Sequence, residues 1–242
     1  MIRTVRRLGG GIVVLTLLVT LFVSPVMAAT PSYSLFGDAT YVMPGNASLR
    51  AVQATSTGPN AFGGVDFTLP IPTVTTLATL NNLMTDYKIT AGDCGLGSPR
   101  FSVEVTTPTG PKNVFFYIGP PPNYTNCPKN VWVNSGNLAA PANLVDTSQL
   151  PGGTFYEPYA AAQAVYGSYP ITDIALVVDG TGQTVQFDNT KINATTYTYE
   201  PTQQESVNSC KKDGYEQYTG QNGLPGPFKN QGQCVSYFNH QD

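Results

Sequence analysis

Apolar and polar residues alternate with a period of two along several short stretches of this chain. In RFSVEVT, residues 100–106, Phe101, Val103 and Val105 share one face and the polar residues share the other. The same period occurs in VDFTL, residues 65–69, and in LMTDYKI, residues 83–89. Each segment is therefore predicted to be a β-strand with one buried face and one solvated face.

Two other stretches are continuously apolar, which is typical of central strands buried on both faces. They are VFFYI, Val114–Ile118, and IALVV, Ile174–Val178. About ten short strands at this spacing predict an all-β fold, an antiparallel jelly-roll-like sandwich. Weaker strands are predicted at Ala39–Met43, Leu49–Ala54, Val131–Val133, Thr184–Phe187 and Thr195–Tyr199.

Gly, Pro, Asn and Asp separate the strands. The segments Thr107–Lys112 and Asp179–Gln183 are each predicted to close a hairpin. One short helix is predicted over Tyr156–Gly167, and a further helical turn from Leu77, Leu80 and Met84. The predicted core comprises Phe67, Phe101, Val103, Val105, Val114, Phe116, Ile118, Ile174, Leu176, Val178 and Phe187.

The first residues of the chain have the pattern expected of an export signal. Three arginines precede an apolar run at residues 12–23, and the small residues Ala28 and Ala29 follow. The expected organisation is a signal peptide at 1–29, a β-sandwich at 30–200, and a linker with a cysteine-closed tail at 201–242. The apolar run is shorter than the roughly 20 residues that span a bilayer, so we expect a secreted, extracellular or cell-surface protein without a membrane span.

Charge excludes some partners. Without the three leader arginines, nine basic and fifteen acidic residues remain, a formal charge of −6. Nucleic acid and anionic membranes are therefore not expected partners. Only 11% of the residues are charged, against about 25% in typical soluble proteins, which is the composition of a turn-rich extracellular β-protein.

Four cysteines in an exported chain predict two disulfides, for which three connectivities exist. Proximity in the sequence favours Cys94 with Cys127 and Cys210 with Cys234. The tail is too small to form a stable core unaided, so its disulfide is expected to order it, as a docking unit or as a lid on the sandwich. Asn230 is expected to cap a last helical turn, and the tail aromatics to cluster: Tyr215, Tyr218, Phe228 and Tyr237.

The ending CKKDGY…PFKNQGQCVSYF resembles a C-terminal element, C-K-x-G-G-[WY] followed by F-K-N-Q-G-x-C-V, of secreted bacterial proteins of uncharacterised function. The upstream stretch DCGLGSPRFSVEV…VFFYIGPPPNYTNCP…VVDGTGQTVQFDN is similar to the jelly-roll, carbohydrate-module-like β-domain that often precedes that element. Asp213 stands where the pattern commonly has Gly. The resemblance implies export and a β-sandwich, and it implies no established activity.

The segment GPPPNYTNCPKNVW, residues 119–132, is the strongest candidate for binding. Its prolines stiffen the backbone, and a bridge at Cys127 would tie it down, leaving Tyr124 near the tip. Tyr124, with Tyr156 and Tyr159 from the helix, is predicted to stack on an extracellular glycan or cell-wall polymer. Trp132 is expected in the core.

No cofactor is expected, with the exception of a structural calcium ion near Asp179, Asp188 and Asn189. These residues flank one turn and carry the oxygen ligands that calcium prefers. Ordinary turn formation by Asp and Asn, through Asx-type hydrogen bonds, explains the same residues and is the favoured interpretation.

Catalysis is not expected. The single histidine, His240, lies near the end of the chain, where no orienting partner can be counted on. Glu104 and Asp86 are the acids that would have to meet on a sheet surface for glycoside hydrolysis. The sequence therefore predicts a non-catalytic glycan-binding module, with two alternatives: a surface-associated protein that docks through its tail, and a polysaccharide hydrolase or lyase.

Overall fold

The computed structural model describes residues 32–58, 61–69, 72 and 74–240, so the predicted signal peptide lies outside the described residues. Within them, the helices are α1 (Tyr159–Tyr166), α2 (Gln203–Ser209) and α3 (Gln231–Asn239), and none is long and apolar enough to cross a membrane. The strands are β1 (Tyr33–Gly37), β2 (Ala39–Val42), β3 (Ala51–Ser56), β4 (Gly63–Phe67), β5 (Leu83–Ala91), β6 (Arg100–Thr107), β7 (Gly110–Tyr117), β8 (Val133–Asn134), β9 (Leu144–Val145), β10 (Glu157–Pro158), β11 (Ile171–Val178), β12 (Gln183–Ile192) and β13 (Thr195–Tyr197).

Two antiparallel sheets form a sandwich. Sheet A has the order β1-β4-β11-β6-β7, and sheet B has the order β2-β3-β12-β5-β8 with β13 paired to β12. Consecutive strands pass repeatedly from one sheet to the other, as in a jelly roll, and β9 pairs with β10 outside both sheets. The predicted all-β fold with one short helix in the sandwich is confirmed.

The apolar core lies between the two sheets. The inward side chains of β6, Phe101, Val103 and Val105, are fully buried there, as their alternation predicts. Sheet B contributes Val185 and Phe187 from β12 to the same cluster. All eleven predicted core residues are at most 3% exposed.

The two predicted hairpins have different outcomes. Thr107 and Gly110 pair directly, so Pro108 and Thr109 form a two-residue turn between β6 and β7, as predicted. The prediction for Asp179–Gln183 is wrong, because β11 belongs to sheet A and β12 to sheet B. The local turn residues are compatible with both outcomes, since they direct a reversal of the chain without selecting the partner strand.

The two apolar runs also differ. β11 lies between β4 and β6, as a central strand should. β7 is the edge strand of sheet A, so the prediction that VFFYI is buried on both faces is wrong. Its Val114 and Phe116 face the core, whereas Phe115 and Tyr117 lie on the outer face.

Helix α1 lies inside the predicted range and ends at Gly167. The predicted second helical turn is reduced to a 3-10 turn at Leu77–Thr79, and Met84 belongs instead to β5. Tyr159, the first residue of α1, belongs to the core cluster, as does the buried Leu77 from the 3-10 turn. Helix α1 therefore closes one end of the sandwich.

Both predicted disulfides are present, Cys94–Cys127 and Cys210–Cys234. Such bonds are characteristic of an oxidising compartment. The expected linker after Pro201 is instead α2, which begins with a capping box: Thr202 Oγ1 accepts from the Glu205 amide at 3.2 Å, and Glu205 Oε2 accepts from the Thr202 amide at 2.7 Å. Asn230 caps α3 as predicted, through the Gln233 amide at 2.9 Å.

The tail, residues 201–240 in the structure, packs on the sandwich. Its buried centre consists of the disulfide together with Tyr218 and Phe238, and Met43 and Leu49 from the β2–β3 loop pack against it. Arg50 reinforces this contact, since its guanidinium lies 3.6 Å from the Glu205 carboxylate and donates to the Glu200 carbonyl at 3.2 Å. The tail is therefore joined to the sandwich by both apolar and polar contacts.

Candidate functional site

Two of the three tyrosines predicted for binding meet at one surface. The rings of Tyr124 and Tyr156 stack with centroids 5.9 Å apart and planes 18° apart. Tyr124 belongs to the loop that the Cys94–Cys127 disulfide ties down, and Tyr156 immediately precedes β10. Residues 32 positions apart therefore form one aromatic contact.

Tyr156 is the outer ring of this pair. Its exposure is 44%, whereas that of Tyr124 is 7%. The Tyr124 hydroxyl donates to the Leu144 carbonyl at 3.2 Å, which fixes the ring from behind. Tyr124 therefore supports Tyr156 and does not project from the loop tip, contrary to the expectation from the sequence.

Tyr159 does not belong to this surface. Its side chain is fully buried, and its hydroxyl donates to the carbonyls of Leu77 and Leu80 at 2.8 and 3.1 Å. Its ring meets Phe116 edge to face at 5.1 Å. As the first residue of a helix that covers the core, Tyr159 points inward, so the prediction that it contacts a ligand does not agree with its position.

Three further aromatics complete the surface, which we call the aromatic platform: Phe115, Tyr117, Tyr124, Phe155 and Tyr156. Tyr117 is central, with its ring centroid 5.6 Å from Tyr124, 5.9 Å from Tyr156 and 6.4 Å from Phe115. Phe155, 63% exposed, lies 6.2 Å from Tyr156. Phe115 and Tyr117 alternate with the core residues of β7. If VFFYI had been assigned to an edge strand, this alternation would have predicted that both rings lie on the outer face.

The backbone at the stacked pair is unusual. Tyr124 and Tyr156 have φ values of +52° and +59°, in the left-handed region that bulky residues rarely occupy. Such conformations cost about 1 to 3 kcal/mol each and persist where surrounding contacts hold them. Here the contacts are the disulfide-tied loop and the neighbouring rings, so the rings are fixed in place before any ligand arrives.

A buried hydrogen bond anchors the platform from below. The Tyr117 hydroxyl donates to Asp146 Oδ2. Burial raises the pKa of Tyr117, and the bond to the Asp146 carboxylate raises it further. The phenol therefore stays protonated at physiological pH and continues to donate.

The platform borders the outer face of sheet A. Arg100 on β6 extends beside it, with its guanidinium 4.9 Å from the Phe115 ring centre and bonded to both carboxylate oxygens of Asp179, at 2.7 and 2.6 Å. At the opposite edge of the sheet, a Cβ on Gly64 would lie 2.5 Å from Phe36 Cζ, so glycine lets that ring lie against β4.

The strand register of sheet A places its outward-facing residues in three rows that cross the strands. The first row is Phe36, Gly64, Val177, Arg100 and Tyr117, and the second is Ser34, Asp66, Ala175, Ser102 and Phe115. The third row is Asp173, Glu104 and Asn113.

Three half-buried acids lie in these rows, Asp66, Asp173 and Glu104. Burial raises the pKa of Asp173, with a further increase from Glu104 and an opposing hydrogen bond from the Ile174 amide. Burial and then Asp173 raise the pKa of Asp66. Glu104 accepts a hydrogen bond from Thr172 Oγ1 at 2.7 Å. The face thus offers carboxylate acceptors close to the aromatic platform.

Glu104 and Asp86 do not meet. Glu104 is on β6 in sheet A, whereas Asp86 is on β5 in sheet B, where it pairs in register with Asp188. The sequence-based possibility that these two acids form a catalytic pair is therefore contradicted. Alternation correctly assigned both to polar faces, but the two faces belong to opposite sides of the sandwich.

Asp86 and Asp188 form a buried acid pair. Asp188 accepts from the Asn46 amide at 2.7 Å, from Ser48 Oγ at 2.5 Å and from the Asn189 amide at 2.8 Å. Asp86 accepts from the side-chain amides of Asn46, Asn134 and Asn189 at 2.7 to 2.9 Å. Burial raises the pKa of Asp188, the hydrogen bonds oppose this, and Asp86 adds to it.

The predicted calcium ligands are divided by this arrangement. Asp188 and Asn189 lie together at the acid pair, whereas Asp179 is bonded to Arg100 on sheet A. Within the described residues, no group of three or more His, Cys, Asp or Glu side chains is suited to hold a metal ion. Calcium at Asp188 and Asn189 stays a prediction, and it would require the amide groups of Asn46, Asn134 and Asn189 to present oxygen instead of nitrogen.

Trp132 is outside the core, so the prediction that it is a core residue is wrong. It is half-buried just before β8, and the Lys88 ammonium lies 4.9 Å from its ring centre. Its alternation with Val131 and Val133 is compatible with either face of an edge segment. It lies on the side of sheet B, away from the platform on sheet A.

Comparisons with known proteins supply no family. No family model matches the chain, and no protein with a curated description matches it. A solved structure described as "Structural analysis of an exo-beta-agarase" is similar over 82% of this chain with 11% identity and a TM-score of 0.30. This chain spans about 30% of the length of that one, and a likeness at this TM-score supports no functional statement.

Proposed function

We propose that this protein is a secreted, non-catalytic binding module for an extracellular glycan or cell-wall polymer, with the aromatic platform as its binding surface. The observation that carries the proposal is that Phe155 and Tyr156 are exposed on a rigid support of three further rings. Isolated exposed aromatics are common on proteins, whereas a supported group at the end of a sheet face is less so.

The physical basis of the proposal is that the aromatic rings lose little conformational entropy when a ligand binds. A sugar presents an apolar face of C–H groups that packs on an aromatic ring, and a ring already held in place loses little entropy on binding. Tyr156 is held by Tyr124 and Tyr117, and Tyr124 is held by its loop and by Leu144. The ligand therefore meets a surface that does not need to rearrange.

Specificity would come from the adjacent rows of sheet A. Sugar hydroxyls require donors and acceptors, and half-exposed Ser102, Asn113 and Glu104 supply them near Phe115. Ser102 Oγ lies 2.9 Å from Asn113 Oδ1, so these two groups are already oriented by one another. Extended chains are favoured over single sugars, because the outer face continues across five strands.

The test is a polysaccharide panel with two matched variants. The mature protein should be retarded in gels that contain its polymer, and Tyr156→Ala should remove most of that retardation. Tyr41→Ala is the control, since Tyr41 is similarly exposed but lies on β2 of sheet B. Unchanged mobility across a broad panel would count against the proposal, as would equal effects of the two substitutions.

One observation favours a second candidate, polysaccharide hydrolysis. Asp173 and Glu104 are directly opposite in register, and such residues have Cβ atoms about 5 Å apart, compatible with the carboxylate spacing of retaining glycosidases. The raised pKa of Asp173 would suit a proton donor. Release of reducing ends that disappears in both Asp173→Asn and Glu104→Gln would establish this candidate, and no release from any bound polymer would reject it.

A further inference from the structure

A crevice separates the tail from the sandwich. It encloses about 620 Å³, within the range of small-molecule sites, and it is open to solvent. Residues of the β2–β3 loop form one wall, and α2, the 220–225 loop and the end of α3 form the others. It shares no lining residue with the aromatic platform. Its main contributors are Leu49, Glu200, Ser206, Leu224, Tyr237 and Phe238.

One polar group of the crevice is the side chain of Ser206. The residue as a whole is 3% exposed, and its backbone carbonyl accepts from Ser209 Oγ at 2.7 Å. No described residue bonds to its hydroxyl, which is not shielded from solvent. Because Ser206 lines the crevice, its hydroxyl is available to a molecule that enters.

Among the described residues that line the crevice, Glu200 has the only charged side chain. Both of its carboxylate oxygens accept from the Leu49 amide, at 3.1 and 3.2 Å. No Lys, Arg or His side-chain nitrogen in the described part of the chain lies within 4 Å of that carboxylate. The nearby Arg50 guanidinium is bonded instead to the carbonyls of Tyr199 and Glu200 and pairs with the Glu205 carboxylate. The Glu200 carboxylate therefore gives the crevice a negative charge and forms no ion pair with a described residue.

An aromatic ring adjoins this charge. Tyr237 is partly exposed at the crevice, and its ring is held by Phe228 at 5.3 Å and by Phe238 at 5.1 Å. Leu49, Leu224 and Pro225 add apolar surface. A carboxylate beside an aromatic ring and aliphatic walls is complementary to a cation carried on an alkyl chain.

We propose that the crevice is a second binding site, for a small organic cation with a primary ammonium group on an aliphatic chain, such as a lysine side chain. The ammonium would pair with the Glu200 carboxylate and donate to the Ser206 hydroxyl, and the aliphatic chain would lie against Tyr237 and Leu224. An anion would be repelled by Glu200 and by nearby Asp188. Burial raises the pKa of Glu200, the hydrogen bond from the Leu49 amide opposes this, and the Asp188 carboxylate raises it further.

The test compares two probes of the same shape, N-acetyl-lysine methylamide and N-acetyl-norleucine methylamide, by calorimetry or NMR titration of the mature protein. The lysine probe should bind saturably and at least about tenfold more tightly than the norleucine probe, which lacks the charge. Equal affinities, or no saturation by the lysine probe, would overturn the proposal.

Variants locate the site. Glu200→Gln keeps an oxygen for the Leu49 amide but removes the charge, so it should weaken the lysine probe by about tenfold and leave the norleucine probe unchanged. Glu216→Gln, at an exposed tail acid outside the crevice, should change neither. If Glu200→Gln lowers the melting temperature, Ser206→Ala and Tyr237→Ala take its place. Full binding by both of those variants would place the cation elsewhere and contradict the proposal.

Discussion

The outer faces of both sheets carry aspartate or glutamate side chains, but these carboxylates are buried to different extents. On sheet A, Asp66, Asp173 and Glu104 remain half-buried beside exposed aromatic rings. On sheet B, Asp86 and Asp188 are covered and bonded to amides and hydroxyls of neighbouring segments. Polar positions on strands therefore become structural where a loop folds over them, and they stay available to ligands where none does.

The difference lies in the segment 43–50. Between β2 and β3 this loop bends over sheet B, where Asn46 and Ser48 bond to the acid pair. The tail then packs on the same loop through Leu49 and Met43.

On sheet A, Tyr124, Tyr156 and Asp146 cover Tyr117 at one edge. The half-buried acids Asp66, Asp173 and Glu104 accept no side-chain hydrogen bond from a loop that the structure describes, so this part of the outer face is the better candidate for binding.

The largest expected effects come from the two disulfides. Replacing both Cys94 and Cys127 by Ala should cost about 3.5 to 4 kcal/mol in the free energy of unfolding, for a loop of 33 residues. It should also weaken polysaccharide binding, because the loop holds Tyr124 behind Tyr156. Urea unfolding and calorimetric titration measure the two effects.

The matched change is Cys210→Ala with Cys234→Ala. The 24-residue separation predicts a similar cost, about 3.5 kcal/mol, confined to the tail. Polysaccharide affinity should stay at the wild-type value, because the tail contributes nothing to the platform. Equal losses of affinity from both pairs would show that the two regions are not independent.

A somewhat smaller loss of stability is expected from removing a carboxylate on sheet B, and almost none from removing one on sheet A. Asp188→Ala leaves the Asn46 amide, Ser48 Oγ and the Asn189 amide without their acceptor, and we expect a loss of about 3 kcal/mol. Asp66→Ala on sheet A should stay within about 0.5 kcal/mol of the wild type. Denaturant unfolding of the two variants measures this, and similar costs would remove the distinction.

Calcium offers a further comparison. If calcium binds at Asp188 and Asn189, a concentration ten times its Kd stabilises the protein by about 1.4 kcal/mol. Thermal unfolding should then show a higher melting temperature with calcium than with EDTA, in the wild type and in Asp179→Asn but not in Asp188→Asn. An unchanged melting temperature in the wild type would reject the calcium prediction.

The smallest effect is in the pH dependence, measured without calcium. The folded protein holds the Asp188 proton more strongly than the unfolded chain, because the pKa is raised from 3.8. This contribution is complete below that ordinary value and is lost as the pH rises through the raised one. From about pH 4 to pH 7, the wild type should therefore lose stability relative to Asp188→Asn. A constant difference between the two proteins across this range would contradict the raised pKa.

The alternation in the sequence predicted the direction of side chains well and the neighbours of strands poorly. Phe101, Val103 and Val105 face the core because a strand has a fixed period of two, which is a local property. Strand order depends on contacts between distant segments, so the edge position of β7 was not predictable from VFFYI.

The candidate site shows the same limit. Tyr156 and the disulfide-tied loop were identifiable from local signals, but the contact between Tyr124 and Tyr156 joins two separate loops. The inward direction of Tyr159 follows from the position of α1 on the core, which no local pattern specifies. The capping box at Thr202 and Glu205 was a readable signal of α2 that the polar composition concealed.

The most direct test of the platform is the affinity of Phe155→Ala with Tyr156→Ala for a polysaccharide that the wild type binds. Both rings are exposed, so the melting temperature should change little, while the affinity should fall by about tenfold for each ring removed. A double variant that binds as tightly as the wild type would show that the platform is not the binding surface.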